Sequence, residues 1–331
     1  MKKKVVYCCV ILFFVFGIFL GIFINQNFLS TATPSAEAIN LTPKHCPYDY
    51  VNPSRCEPDV VQKKKEYTSL RNDLASSIEM EKKDGSATDI AIYFRDLQNG
   101  PSVNINGQMD FKPASLLKVP LMITYLRKAE DDPSILKKSI IVSGDFQLLP
   151  VQEIKPQKSA IPGKKYTRDE LITMMITQSD NYSWIALLTD LQNNYSEDDF
   201  IATLSDLGII DPRISVSGQY LSVQTYASIF RILYNSSYLN TPMSDRALKL
   251  LTQATYNDGI VAGLPKGIKV AHKFGETNTD GVQELHDCGI VYYPPDPYIL
   301  CIMTKGHDIP TLEQVIQQIS QEVYQAVQNR N

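Results

Sequence analysis

The chain has 331 residues, and its 32 lysines and arginines nearly balance its 36 aspartates and glutamates, for a net charge of −4. This charge leaves no general basic surface, so we expect no nucleic-acid partner. The length suits one large domain or two small ones, and the apolar content of 44% is that of an ordinary globular protein. The function must therefore be predicted from local sequence motifs.

The first 24 residues predict a membrane anchor. Lysines at positions 2–4 precede an uncharged apolar run over 5–24, and about 20 apolar residues span a bilayer core. Because positive residues stay on the cytoplasmic side, residues 1–4 would be cytoplasmic and the rest extracytoplasmic. The alternative is a cleaved signal peptide with a small-residue site at 36–38, which would leave the protein secreted. We favour the uncleaved anchor.

The remaining chain divides into a tether over 25–59, which lacks sustained periodicity, and a folded domain over 60–331. Within the domain, strands and a helix come from both chain ends around a long helical middle. This order predicts an α/β (α+β) fold in which terminal helices cover one antiparallel sheet and an all-helical lobe is inserted. A site would lie in the cleft between these lobes. The predicted helices are 60–83, 116–128, 167–188, 198–207, 223–233, 244–251 and 311–328, and the predicted strands are 89–96, 102–105, 268–274, 287–293 and 298–305.

Two pairs among the six cysteines are candidate disulfides. Cys46 and Cys56 flank a short loop and would close a local bridge. Cys288 and Cys301 lie on predicted neighbouring strands, where the pattern is consistent with a cross-strand bridge or with two buried free thiols. The other two cysteines lie within the apolar run and are typical membrane residues.

The stretch 111–120 places Ser115 and Lys118 three residues apart at the start of a predicted helix. Positions i and i+3 share a helix face, so the hydroxyl and the amine would be neighbours. A serine hydroxyl needs an adjacent base to act as a nucleophile, and a lysine with a lowered pKa can be that base. Free N–H groups in the first helical turn can hold a developing oxyanion. The same spacing at Ser134 and Lys137 has no such context.

Two later motifs, Ser179-Asp180-Asn181 and Lys273-Phe274-Gly275, follow in order. Together with Ser115-x-x-Lys118 they resemble the motif set of class A β-lactamases and penicillin-binding proteins. The resemblance extends from Val60 to the end of the chain and implies the fold of that family. Other segments, near these motifs in the sequence, also resemble the corresponding segments of the family. They are 166–171, 263–267, 270–273, 287–291 and 297–300.

The resemblance implies a role for each motif residue. Ser115 would attack a carbonyl and form an acyl-enzyme, and Lys118 would take its proton. Ser179 would pass that proton to the leaving nitrogen. Lys273 would help to keep Lys118 neutral and would attract an anionic substrate group. The Asn181 carboxamide would hold the substrate's amide group.

The resemblance also implies substrate-binding groups on the strand that carries the last motif. The backbone N–H groups of Ser115 and Glu276 would form an oxyanion hole, and Gly275 and Thr277 would line the bound substrate. Asp180 would brace its loop rather than react. We expect no cofactor and no metal, since none of the four histidines pairs with another at the spacing of metal ligands.

Two residues depart from the family pattern. Phe274 stands where threonine is usual and cannot donate a hydroxyl hydrogen bond, so recognition there must change. Glu276 stands where small residues are usual. Its carboxylate could repel an anionic substrate, pair with Lys273 or turn outward, and the sequence leaves these three alternatives open.

A third departure is an absence. Class A β-lactamases carry a loop glutamate that helps water to hydrolyse the acyl-enzyme, but no Asp or Glu occurs between Pro212 and Thr225. General-base help is worth about 10²–10⁴-fold in rate. We therefore expect acylation at Ser115 by β-lactams, followed by slow deacylation.

Three functions are consistent with these residues. One is a β-lactamase. Another is a D-alanyl-D-alanine carboxypeptidase or transpeptidase that acts on peptidoglycan stem peptides, which the absent glutamate and the anchor favour. The third is a non-catalytic relative that binds cell-wall peptides or another protein, which Phe274 and Glu276 favour. We expect a monomer in each case.

Overall fold

This computed structural model describes residues 49–50 and 67–329, except 99, 145, 150, 210–217 and 219. The predicted anchor, nearly all of the tether and the pair Cys46 and Cys56 lie outside the described residues. Within them, none of the helices combines the length and the apolar character needed to cross a membrane.

Every segment predicted as helix or strand contains an observed element of the same type. Several helices begin where the sequence supplies a capping residue, as at Thr167 and Ser196, which each form a capping box. The helices are α1 (Thr68–Asp84), α2 (Lys118–Asp131), α3 (Arg168–Thr177), α4 (Asn181–Asn194), α5 (Glu197–Asp206), α6 (Val223–Tyr234), α7 (Thr241–Leu251) and α8 (Ile309–Gln328). The strands are β1 (Asp89–Asp96), β2 (Ser102–Ile105), β3 (Asp110–Phe111), β4 (Ser139–Ile141), β5 (Lys165–Thr167), β6 (Leu221–Ser222), β7 (Lys269–Thr279), β8 (Val282–Tyr292) and β9 (Tyr298–Gly306).

One antiparallel sheet of five strands, in the order β2-β1-β9-β8-β7, forms the centre of the domain. Strand β1 from the start of the domain pairs with β9 from near its end, with Ile92 opposite Ile302, so segments far apart in the sequence meet in one sheet. On β8 and β9, Cys288 stands opposite Cys301 and the two form a disulfide. Of the two alternatives for this pair, the bridge is the one observed.

Two hydrophobic cores lie on opposite faces of this sheet. On one face, α1 and α8 pack their apolar stripes, which include Leu74 and Ile316, against sheet residues such as Phe94. On the other face, the helical segments between β2 and β7 pack together and against the sheet through residues such as Ile290. The predicted α+β architecture is therefore confirmed, and the boundary between helical lobe and sheet is where the motif residues meet.

The helix predicted over 167–188 is wrong as a single element. It is two helices, α3 and α4, separated at residues 178–180. Ser179 adopts a left-handed conformation with φ of 55°, and Asp180 caps the second helix. The apolar periodicity continues through the break because both helices pack into the same core, which is why the pattern alone suggested one helix.

The strands predicted over 268–274 and 287–293 are too short. They extend to a tight hairpin, β7 and β8, that turns at Asp280 and Gly281, both with positive φ (53° and 83°). The residues before this turn are polar and stand at the edge of the core, so they lack the apolar alternation that marks a strand. The missed extension carries Glu276 and Thr277.

Candidate active site

The Ser115 hydroxyl lies on a short 3₁₀ turn, Ala114–Leu117, that leads into α2. Residues three apart eclipse one another in this helix type, and Lys118 Nζ lies 2.8 Å from Ser115 Oγ. Ala114, directly before the serine, has a φ of 46°, a conformation that costs free energy in a residue other than glycine. The predicted pair of hydroxyl and amine is present, on a tighter turn than expected.

The turn between α3 and α4 brings further acceptors to the same amine. Lys118 Nζ donates to the carbonyl oxygen of Ser179 at 2.6 Å and to Asn181 Oδ1 at 2.7 Å, and it lies 3.2 Å from Ser179 Oγ. Gln152 Nε2 donates to the same carbonyl at 3.2 Å. Four oxygen atoms from three residues therefore surround one buried amine.

Asp180 holds this turn in place, as its predicted bracing role requires. Its carboxylate accepts hydrogen bonds from the N–H groups of Tyr182 at 3.3 Å and Ser183 at 2.9 Å, at the free end of α4. It also accepts from the N–H group of Ala160 at 3.0 Å. The side chain is 1% exposed, so it is a structural anchor beneath the cleft.

Lys273 reaches the same place from β7. Its Nζ donates to Ser179 Oγ at 2.8 Å and to the carbonyl oxygen of Phe274 at 2.7 Å. The Ser179 hydroxyl thus lies between two amines, because Lys118 approaches it from the other side. The structure therefore brings Ser115, Lys118, Ser179, Asn181 and Lys273 to a single point at the lobe boundary.

Burial controls the charge of both amines. It lowers the pKa of Lys118 to about 7, although the carboxylates of Asp180 and Glu276 partly oppose the shift. Burial also lowers the pKa of Lys273 well below its usual value, and the neighbouring Lys118 lowers it further. A neutral amine beside the Ser115 hydroxyl is therefore accessible near neutral pH.

Gly275 allows β7 to lie directly against the turn that carries the serine. A Cβ atom at this position would stand 3.1 Å from Leu116 Cγ and 3.2 Å from both Leu116 N and the carbonyl oxygen of Pro113. A side chain here would require β7 and the 3₁₀ turn to separate by a few tenths of an ångström. Glycine therefore favours the close approach of β7 to the backbone of residues 113–116.

Glu276 faces the cleft, but its carboxylate is bound to the covering segment, residues 151–160, of which Val151 and Gln152 line the cleft. The carboxylate accepts from the N–H groups of Ile154 at 2.8 Å and Glu153 at 3.3 Å. Burial raises its pKa. Of the three alternatives, pairing with Lys273 and turning outward are both wrong, since both oxygens are used by the covering segment and the residue lines the cleft.

Phe274 turns into the protein rather than offering a polar group to the cleft. It is 5% exposed, and its ring packs against Tyr256 with centroids 4.2 Å apart and planes at 31°. The Nζ atom of Lys273 lies 4.2 Å from the centre of the same ring. The Phe274 ring therefore forms an apolar surface beside the buried amine of Lys273.

The cleft beside these residues has a volume of about 740 Å³, which is within the usual range for small-molecule sites. The predicted residues Ser115, Asn181 and Thr277 line it. Sequence reasoning missed Gln152, which carries no motif, and it missed an apolar wall formed by residues from separate segments. That wall consists of Leu117, Leu149, Val151, Trp184, Ile185 and Tyr220.

Residues 210–217 and 219, in the loop where a deacylating glutamate would stand, lie outside the described residues. The flanking residues Gly218 and Tyr220 line the cleft, and Leu221 and Ser222 pair with β3. The other Ser-x-x-Lys pair, Ser134 and Lys137, lies on a separate 3₁₀ turn away from this cleft.

A sheet covered by helices on both faces, with two serines and two buried lysines in contact at the lobe boundary, defines a β-lactamase-like serine hydrolase. A family model described as the β-lactamase enzyme family matches residues 70–327. The chain belongs to this family.

Solved structures show the same fold at low sequence identity. PBP-A is 22% identical and has a TM-score of 0.66 over 82% of this chain and all of its own. A PBP-A variant described as an acyl-enzyme complex with penicillin G is 23% identical, also with a TM-score of 0.66, over 81% of this chain and all of its own. A class A β-lactamase from Mycobacterium abscessus is 22% identical, with a TM-score of 0.64, over 78% of this chain and 99% of its own. A search of curated proteins gave no match.

Proposed function

We propose that this chain is a serine hydrolase that forms an acyl-enzyme at Ser115 with β-lactams and releases the product slowly. One observation carries the proposal: Lys118 Nζ contacts Ser115 Oγ, two oxygens of Ser179 and Asn181 Oδ1. An ammonium group has only three N–H donors for these four contacts. As a neutral amine, it would instead accept the Ser115 proton and donate to the carbonyl oxygens.

The remaining contacts suggest the path of that proton. Ser115 Oγ would attack the lactam carbonyl carbon while its proton moves to Lys118. When the C–N bond breaks, the Ser179 hydroxyl would give a proton to the leaving nitrogen and recover one from Lys118, 3.2 Å away. Lys273 would hold the Ser179 hydroxyl in position from 2.8 Å. The backbone N–H groups of Ser115 and Glu276 would stabilise the oxyanion.

Slow release follows from the residues available to activate water. No Asp or Glu occurs between Pro212 and Thr225, and both oxygens of Glu276 already accept backbone N–H groups. Without a general base, hydrolysis of the ester would lose about 10²–10⁴-fold in rate. We therefore expect the adduct to outlast that of an efficient β-lactamase.

Intact-mass spectrometry of the extracytoplasmic domain with penicillin G tests this proposal. We expect the protein mass to increase by the mass of one penicillin, and we expect the adduct to persist after excess penicillin is removed. The variant Ser115→Ala should show no adduct. An adduct on that variant would place the nucleophile elsewhere, and rapid turnover by the wild type without an adduct would show that an efficient base exists.

The second candidate function is a D-alanyl-D-alanine carboxypeptidase or transpeptidase acting on peptidoglycan stem peptides. The absence of an acidic residue between Pro212 and Thr225 favours it, because such an enzyme has no need for fast lactam hydrolysis. The likeness to PBP-A, a variant of which was solved with acylating penicillin G, is consistent with it. Release of D-alanine from a synthetic stem pentapeptide, lost in Ser115→Ala, would favour this activity.

We also propose that residues 5–24 anchor the protein with its domain outside the cytoplasm. The disulfide between Cys288 and Cys301 supports this location, since such bonds persist in oxidising compartments. Fractionation of cells that produce the full chain, with protease added to intact spheroplasts, tests it. A domain that stays in the soluble cytoplasmic fraction would contradict the anchor.

A further inference from the structure

We propose that Glu276 is a positioning residue of this site, whose carboxylate holds the covering segment in place as one wall of the substrate cleft. The inference rests on the proposed acylation of Ser115, because it concerns how the substrate of that reaction is held. It also gives a role to the carboxylate that the sequence places directly after the Lys273-Phe274-Gly275 motif.

The covering segment has no regular backbone structure of its own. Residues 151–160 form no helix or strand, and none of their backbone groups bonds to another backbone group among the described residues. A segment without such bonds is held mainly by contacts between its groups and side chains of the surrounding fold. These contacts therefore decide where this wall of the cleft stands.

Three N–H groups of the covering segment donate to carboxylates of the surrounding fold. Those of Ile154 at 2.8 Å and Glu153 at 3.3 Å donate to Glu276 on β7, and that of Ala160 donates to Asp180 at 3.0 Å. Hydrogen bonds to a carboxylate are stronger than those between neutral groups. Because the Ala160 bond is at the far end of the segment, Glu276 holds the end that lines the cleft.

Two side chains at the cleft end of the segment make contacts that depend on this placement. Gln283 Nε2 on β8 donates to the Glu153 carboxylate. Gln152 Nε2 donates to the Ser179 carbonyl oxygen at 3.2 Å, at the long end of the usual range, whereas Lys118 donates to the same oxygen at 2.6 Å. The Gln152 carboxamide therefore stays beside the site only while the backbone of the segment is held nearby.

The position of the segment should affect substrate binding more than the chemical step. Val151 and Gln152 line the cleft to which Ser115 also belongs, so a substrate that acylates Ser115 lies in the space they bound. When only part of a protein population is competent to bind, its apparent affinity falls by that fraction. Loss of the Glu276 bonds would lower the fraction with the segment in place, but Lys118 would keep its contact with Ser115 at 2.8 Å.

Hydrogen exchange tests the contact without any need for activity. In Glu276→Ala, the N–H groups of residues 153 and 154 should exchange about tenfold faster than in the wild type, because they lose their acceptor. Glu276→Gln keeps one acceptor oxygen and should give an intermediate rate. The matched control is Glu130→Ala, which removes a carboxylate that accepts from Asn240 N at 2.5 Å away from the cleft. It should leave exchange in the covering segment unchanged.

Stopped-flow acylation by penicillin G at increasing concentration separates binding from chemistry. We expect Glu276→Ala to raise the half-saturation concentration about tenfold and to keep the limiting rate within about threefold of the wild type. Glu276→Gln removes the same charge but keeps an acceptor, so it should raise the half-saturation concentration less. Glu130→Ala should match the wild type. Partial unfolding would instead reduce the amplitude of acylation, and thermal melts of each variant report it.

Unchanged exchange of residues 153 and 154 in Glu276→Ala would overturn the positioning role. Faster exchange with an unchanged half-saturation concentration, or an equal shift in Glu130→Ala, would overturn it as well. A limiting rate that falls while the half-saturation concentration stays constant would assign Glu276 to the chemical step and contradict the inference. If penicillin G does not acylate the folded wild type, the proposed function fails, and exchange alone then decides whether Glu276 holds the segment.

Discussion

At the scale of single residues, Lys118 is the most informative side chain. It is 2% exposed and contacts the proposed nucleophile, yet it begins a helix inside an apolar core. A buried lysine is tolerated here because Ser179 and Asn181 supply oxygen acceptors to its amine. The same burial lowers the pKa of its amine to about 7, which the proposed role as a base requires.

The rate of acylation should rise with pH through about 7. The pKa of Lys118 is lowered to about 7 by burial, and a base accepts a proton only in its unprotonated form, so the active fraction grows as pH increases and levels off above that pKa. Stopped-flow measurement of penicillin acylation from pH 5 to 9 would show this profile. A rate that falls over the range would assign the titration to another group.

Replacement of the amine by a permanent cation provides the control for this profile. Lys118→Arg keeps the positive charge but cannot lose its proton in this pH range. We expect acylation to fall by about 10²–10⁴-fold and the pH dependence near 7 to disappear. A variant that retained a wild-type profile would exclude Lys118 as the base.

At the scale of elements, the turn between α3 and α4 interrupts a continuous apolar pattern and places polar residues at the candidate active site. Ser179 takes a left-handed conformation and Asp180 caps α4, so the chain bends where Ser179 and Asn181 contact the amine of Lys118. The Asp180 carboxylate also bonds Ala160 in the covering segment. Loss of this one carboxylate should therefore loosen both the helix and the cover of the cleft.

The variant Asp180→Ala should lower the free energy of unfolding by about 2–4 kcal/mol, because it removes a helix cap and leaves buried N–H groups without their acceptor. The matched control is Asn240→Ala, which removes an exposed cap from α7, where Asn240 Oδ1 accepts from Met243 N at 3.0 Å. That change should cost about 1 kcal/mol. Urea unfolding of both variants measures the difference, and equal losses would show that burial adds nothing at Asp180.

At the scale of the whole molecule, the sheet joins the two ends of the domain. Strand β1 pairs with β9, and the terminal helices α1 and α8 share one core. The disulfide between Cys288 and Cys301 links β8 to β9 at the middle of this sheet, next to the strand that carries Lys273. The disulfide therefore cross-links the β8–β9 hairpin beside the strand that carries Lys273.

Replacement of both bridge cysteines by alanine should lower the free energy of unfolding by about 2–4 kcal/mol. The bond closes a loop with a sequence separation of 13 residues, and its loss would give the unfolded chain more conformations. Guanidinium unfolding with and without reductant checks the effect. Reductant should destabilise the wild type more than the double alanine variant, in which Cys46 and Cys56 are the remaining candidate bridge, and a wild type that is insensitive after full reduction would contradict a stabilising role.

The sequence by itself determined the type of most elements, the order of the motifs and the family, but it did not show the break between α3 and α4 or the full length of β7 and β8. Periodicity of apolar residues predicts helices and strands because side-chain spacing reflects a local repeat, and the spacing of Ser115 and Lys118 follows from one helical turn. Even the resemblance to the family depended on short stretches of contiguous residues. These features are local, so they can be read along the chain.

Only the tertiary structure decided what Glu276, Phe274, Gln152 and the Cys288–Cys301 pair do. Each role depends on a contact between separate elements: the covering segment for Glu276, the Ser179 carbonyl for Gln152, Tyr256 for Phe274, and the opposite strand for the cysteines. The sequence around a charged or aromatic residue does not show which surface its side chain will contact. Long-range packing sets those partners, and packing also sets the burial that turns two ordinary lysines into weakly basic amines.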